Sequence, residues 1–220
     1  MSRRIAAEGI GTALLLAAVV GSGIMGERLG GGNDAVALLA NSLATGAALV
    51  AILLAFGPIS AAHLNPVVTV VEASAARLPW RAVPGYLAAQ FSGALAGVAA
   101  ANVMFGEPVL AASHHVRAGT GQLFSEVVAT FGLLAVVLGV SRHRPPAVPF
   151  AVGAYITAAY WFTASTSFAN PAVTLARAGT DTFAGIRPLD VPGFVAAQVA
   201  GAALAAATFR WLYPTSSPSK

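Results

Sequence analysis

Hydrophobic residues in this chain come in long blocks, at about 5–27, 35–57, 84–105, 122–141, 147–164 and 191–213. Each block is close to the roughly 20 apolar residues that cross a bilayer's hydrocarbon core as a helix. Charged or Pro/Gly-rich stretches separate them: Glu27-Arg28, Arg77 to Arg81, Glu107-Pro108 through Arg117, Arg142 to Pro146, and Asp181 to Asp190. Two more apolar stretches, about 65–76 and 170–178, are too short to span, and each opens on Asn-Pro. Proline suits the first turn of a helix, where its missing N–H is not needed, and asparagine is a favoured N-cap. Both stretches read as short helices that start abruptly.

Composition agrees with a lipid-embedded chain. Of 220 residues, 57% are hydrophobic and only 9% charged, with a mean hydropathy of +0.75. A water-soluble domain carries about a quarter charged residues. The formal charge of +4 is small and forms no basic run, so nothing points to nucleic acid. The absence of cysteine removes disulfides and thiolate metal sites. Met1-Ser2-Arg3-Arg4 before an apolar run resembles the start of a signal peptide, but Ile5 to Met25 is too long for a signal core and lacks a convincing cleavage site. It reads as the first span.

The two halves repeat. Val83-Pro84-Gly85-Tyr86-Leu87-Ala88-Ala89-Gln90 matches Val191-Pro192-Gly193-Phe194-Val195-Ala196-Ala197-Gln198. Glu8-x-x-x-Thr12 matches Glu126-x-x-x-Thr130, and His63 to Thr69 matches Phe168 to Thr174. The first copy covers about 1–105 and the second about 120–215, within one domain. Three spans per copy is an odd number, so the second copy is inverted in the membrane. Inverted repeats set their site at the midplane, where broken helices meet. Arg3, Arg4, Arg77, Arg81, Arg142, Arg144, Arg210 and Lys220 fall on one side, against Arg28, Arg117, Arg177 and Arg187 on the other. That bias places both termini in the cytoplasm.

Half-helices entering from opposite faces bring Asn65 and Asn170 together near the centre, with unpaired N–H groups and positive dipole ends. The segments before them, Gly57 to Leu64 and Ala164 to Ala169, are polar or small and are expected to be loops whose carbonyls line a path. Irregular backbone at that depth requires burial in protein or a water-filled cavity. The product is a single-file polar track whose central positive field repels cations.

These residues carry a family resemblance. Gly57-Pro58-Ile59-Ser60-Ala61-Ala62-His63-Leu64-Asn65-Pro66-Val67-Val68-Thr69 resembles the first signature of aquaporins and glycerol facilitators, and Asn170-Pro171-Ala172 the second. The likeness covers essentially the whole chain. It implies an all-α membrane fold of six tilted helices and two half-helices, a pore in each subunit, and a homotetramer in the cell membrane. It implies no cofactor and no resident metal. Glu8 and Glu126 lie within spans, where a carboxylate is expensive. The resemblance favours their holding the re-entrant loops, with a proton relay as the other reading. Gln90 and Gln198 would give similar support. His63 either lines the cytoplasmic half of the pore or braces the loop. Gly85, Gly93, Gly193 and Gly201 suit close helix approach.

The chain departs from the family at two places. Val67 replaces the alanine of the first motif, a packing change. Val173 stands where most members place the arginine of the narrow outer filter, removing bulk, donors and charge together. The other filter positions carried over by spacing are Thr45, Ser167 and a fifth-span residue, Ala158 or Tyr160. With Ala158 the filter is wide and uncharged. Ser167 to Thr174 resembles a bacterial branch with this valine that is linked to arsenic resistance. Arg177, two turns beyond Asn170, either restores filter charge further out or pairs with a loop charge, and Glu72 is its counterpart in the first repeat. His114, His115 and Arg117 read as a solvated outer loop. No catalytic constellation appears, so an enzyme is not expected. A passive channel for water and small neutral solutes is the leading reading, with arsenous acid, methylated arsenicals and glycerol as candidates. A strict water channel, a proton-coupled transporter and an ion channel are the alternatives.

Overall fold

A computed structural model describes residues 1–213. Lys220 and the last two residues assigned to the second repeat lie outside them. The described chain has six long helices, α1 (Ser2–Leu29), α2 (Asp34–Ser60), α4 (Val83–Phe105), α5 (Thr120–His143), α6 (Val148–Phe162) and α8 (Val191–Leu212). Two short ones, α3 (Pro66–Ser74) and α7 (Pro171–Arg177), complete it. A backbone in hydrocarbon must satisfy its own hydrogen bonds, which makes long apolar runs helical. Five helices are long and apolar enough to span alone. The other, α6, has 15 residues, about 22 Å at 1.5 Å per residue. It ends early because Thr163 turns extended and the chain folds back inward.

Helix starts follow local chemistry. The Asn33 side chain accepts from the Ala35 and Val36 N–H groups and caps α2. A short 3-10 turn precedes α4, α6 and α8, each of which has proline in its first turn. Asn65 caps α3 by accepting from Val67 N–H, and Asn170 caps α7 by accepting from Ala172 and Val173 N–H. One expectation needs correction: Gly57 to Ser60 is helical, not loop, with Pro58 inside α2. The helix stops only at Ala61, whose φ of 70° is left-handed.

Packing interlocks the repeats. α1 lies against α2 and α4, α5 against α6 and α8, and α2 against α6. The half-helices cross over, α3 touching α8 and α7 touching α4. A Cβ at Gly93 would collide with the Gly9 carbonyl of α1, and one at Gly201 with the Val127 carbonyl of α5. Only glycine lets these backbones meet. At Gly85 and Gly193 the neighbours are instead side chains, Ile5 and Leu123. The outer surface is apolar, with Leu14, Leu43, Leu54, Phe124, Phe150 and Leu204 exposed.

Candidate pore

The half-helices meet at their asparagines. Asn65 Nδ2 donates to the Ala169 carbonyl at 2.8 Å, and Asn170 Nδ2 donates to the Leu64 carbonyl at 2.7 Å. Each side-chain oxygen is used as a cap and one amide hydrogen crosses to the other loop, leaving one N–H per asparagine for the lumen. Pro66 and Pro171 hold the first helical positions and are buried. Val67 packs with Val68, Val71 and Leu134, away from the cavity, while Ala172 is fully buried in the main core. The loops that deliver the asparagines are bent alike. Ala61, Ala62 and Leu64 have positive φ, and so do Thr166, Ser167 and Ala169 at the same spacing from the second Asn-Pro. Left-handed backbone is costly for residues with a Cβ, so the surroundings must hold it.

Glu8 and Glu126 supply the hold. Both are fully buried. Glu8 accepts from Ser60 Oγ (2.6 Å), His63 N–H (2.9 Å), Leu64 N–H (2.8 Å) and Gln90 Nε2 (2.8 Å). Glu126 accepts from Phe168 N–H (2.9 Å), Ala169 N–H (2.9 Å) and Gln198 Nε2 (2.6 Å). Gln90 also donates to Thr69 Oγ1, and Gln198 to Thr174 Oγ1. A buried carboxylate is stable only when its lone pairs are met. Strained loops bristling with N–H donors provide that, and the carboxylates fix the loops in return.

A continuous cavity of about 210 Å³ runs past both asparagines. Toward the end that carries Arg77 it is lined by Glu72, Ser141 and Val148, and toward the other end by Thr45, Tyr160, Phe168 and Arg177. Leu15, Leu49, Val152 and Ile156 make an apolar wall between them. His63 lines the first half while its Nδ1 contacts Thr69 Oγ1 at 3.1 Å, so lining and bracing coexist. Glu72 is paired with Arg77 through two contacts of 2.6 and 2.7 Å.

The expected filter positions Thr45, Ser167 and Val173 all line this cavity. Ala158 does not, because its side of α6 faces outward and is exposed. Tyr160 takes that place, buried, with its hydroxyl 3.3 Å from Thr45 Oγ1. Two residues along a helix is a turn of about 200°, so only one of the two candidates could face inward. Ser167 Oγ is buried without a partner among the described residues.

Arg117 also departs from its reading as part of a solvated loop. It is 7% exposed and lies across the second re-entrant loop. Nε donates to the Gly185 carbonyl at 2.8 Å, Nη1 approaches the Ser165 carbonyl and Thr166 Oγ1, and Cζ stands 5.0 Å from the Phe168 ring centroid. Burial draws its pKa down to about 10, so it remains charged at neutral pH. Nothing in the local sequence marks it, since burial of a loop arginine depends on residues 48 to 68 positions away. His114 stays exposed and pairs with Asp181 at 2.8 Å. Among the described residues no group of three or more metal-ligating side chains forms.

Comparison with known proteins gives the same picture. The sequence profile described as Major intrinsic protein matches residues 1–148. The chain is 55% identical over 218 residues to aquaglyceroporin AqpS of Rhizobium meliloti (strain 1021), covering 99% of this chain and 93% of that one. It is 34% identical over 164 residues to aquaporin NIP3-1 of Oryza sativa subsp. japonica, covering 71% of this chain and 51% of that protein. The fold matches the aquaglyceroporin from Plasmodium falciparum with a TM-score of 0.75 at 24% identity, over 96% and 95% of the two chains. With two Asn-Pro half-helices meeting across one lined cavity, the chain belongs to the major intrinsic protein family, and is an integral membrane channel for water and small solutes, not an enzyme.

Proposed function

We propose that the protein is a passive channel for small uncharged, oxygen-rich solutes as well as water, with a filter set by Thr45, Tyr160, Ser167 and Val173. The observation that carries this reading is a cavity lined by three hydroxyl-bearing residues, Thr45, Tyr160 and Ser167, and by apolar Val173 where the family's usual arginine is missing. Hydroxyls exchange hydrogen bonds with hydroxylated solutes in either direction. Glycerol fits this chemistry, in keeping with the Rhizobium relative's name, aquaglyceroporin. Arsenous acid and methylated arsenicals fit it too, and the valine-bearing second signature resembles the arsenic-linked branch. The protein works as a homotetramer in the plasma membrane with both termini in the cytoplasm. Its first repeat covers about 1–105 and its second about 120–215.

A second reading, a strict water channel, draws on one observation: the Tyr160 hydroxyl reaches to 3.3 Å from Thr45 Oγ1, so a bulky aromatic side chain lines the same cavity as Val173. Light-scattering swelling of proteoliposomes with water, glycerol and arsenous acid separates the two. Solute entry well above that of protein-free vesicles is the expected result. Fast water entry with both solutes excluded would leave the water channel.

A further inference from the structure

Replacing the filter arginine by Val173 removes width restriction and charge together, yet the same cavity holds a charge from another residue. Arg177 sits one turn beyond Val173 on α7, lines the cavity and is 2% exposed. Its Nε–H donates to the Ala184 carbonyl. Its Cζ stands 3.4 Å from the centroid of the Phe168 ring, which fixes the plane of the guanidinium. Among the described residues no carboxylate pairs with it, and its two terminal nitrogens have no protein acceptor. Glu126, the carboxylate under the same loop, is committed to Phe168, Ala169 and Gln198. Arg117 adds a second positive charge near the same ring.

A buried guanidinium stays charged, and leaving its donors unmet is costly. Here the lumen is what remains to meet them, through water or the oxygen atoms of a passing solute. The first repeat has no equivalent, since Glu72 at the matching position is neutralised by Arg77. Among the described residues that line the cavity, Arg177 therefore carries the uncompensated charge, positive and at the outer end, with Arg117 behind it.

We propose that Arg177 is the specificity-determining cation of this pore, holding the charge that excludes cations and the donors that meet solute oxygens, while Val173 sets the width. Two tasks that one filter arginine combines are divided between residues one helical turn apart. The inference rests on the solute-channel reading and names the ligand class it favours: neutral solutes carrying several hydroxyl oxygens.

The test compares proteoliposomes of the wild type, Arg177→Met, Arg177→Gln, Arg177→Lys and Val173→Leu. Sodium conductance, proton entry, and glycerol and water permeability are measured on each. Both neutral variants at Arg177 are expected to raise cation flux about tenfold or more, with a smaller fall of about two- to threefold in glycerol entry. Arg177→Lys keeps cation flux low, and Val173→Leu slows glycerol without admitting cations. Arg177→Gln retains a donor for Ala184 and decides the matter if Arg177→Met fails to fold. Cation flux at the wild-type level in a folded neutral variant would overturn the inference. A wild type that passes water but no glycerol would overturn the solute reading instead, and the cation measurements would still decide Arg177.

Discussion

Glu8 and Glu126 show how a residue forbidden by its surroundings becomes a structural necessity. Each sits in an apolar helix, yet between them their oxygens receive four backbone N–H groups from the two strained loops. This geometry favours bracing over proton relay, because the carboxylates are enclosed by donors and fully buried. Glu126→Gln turns an acceptor toward a donor and leaves a buried N–H unmet. It is expected to destabilise the protein by about 1–3 kcal/mol, and Glu8→Gln by a similar amount. Thermal unfolding in detergent measures both, and an unshifted midpoint for either would argue against the brace. At this scale the motif asparagines and the glutamates were legible because sequence spacing sets them in register with the repeats, and Val173 because the family resemblance marks its position. Tyr160 was not, since choosing it over Ala158 needs the rotation of α6 about its axis, which an all-apolar helix leaves unmarked.

The elements are apolar on nearly every side, so hydrophobicity cannot decide which faces pair. Small residues and broken helices decide it. Gly93 admits α1 to α4 and Gly201 admits α8 to α5 at corresponding points of the two repeats. Gly93→Val or Gly201→Val forces these backbones apart, at a cost of about 1–3 kcal/mol or more from overpacking. A reduced yield of monodisperse protein on size-exclusion chromatography is the expected readout. Gly57→Val has open space around it and should differ little in that measurement. Helix limits read from the sequence agree with the observed ones to within a few residues, because in lipid a span ends where polar or Pro/Gly-rich segments begin. The exception, Gly57 to Ser60, joined α2 because proline within a helical turn is tolerated once packing supplies the rest.

At the scale of the molecule, charge separates into two ends. Arg28 with Glu107, His114 with Asp181, and Arg187 with Asp190 gather at the end holding Arg117, while Arg77 pairs with Glu72 at the other. The first end is sensitive to acid. Partial desolvation and then Arg117 and Arg177 lower the pKa of His115 below its ordinary 6.5. The side-chain hydrogen bond from Arg187, with the Arg117 N–H, holds Asp190 below its ordinary 3.8. A histidine lowered in the folded state is stable when neutral, so stability is complete above about pH 6.5 and falls as pH drops toward the folded value. The depressed Asp190 adds a second loss below about pH 4, as the pH falls through its folded value. Thermal midpoints from pH 8 to 3 should therefore decline in two stages, and His115→Asn should shrink the upper one. Arg117 entered the site without warning from the sequence, because its burial depends on the 165–166 and 183–185 segments folding over it.

Sequence alone determined that this chain lives in lipid, has six apolar helical segments and repeats itself. It also located the two Asn-Pro helix starts, while the family resemblance, not the local pattern, pointed to the valine where a filter arginine is usual. These follow from local facts, since run length, proline and capping act over a few residues. Tertiary structure decided that Tyr160 lines the lumen and Ala158 does not, that Arg117 is buried, and that Arg177 faces the cavity without an acid partner among the described residues. Those outcomes depend on helix rotation and on contacts between segments far apart in the chain, which the order of residues does not display.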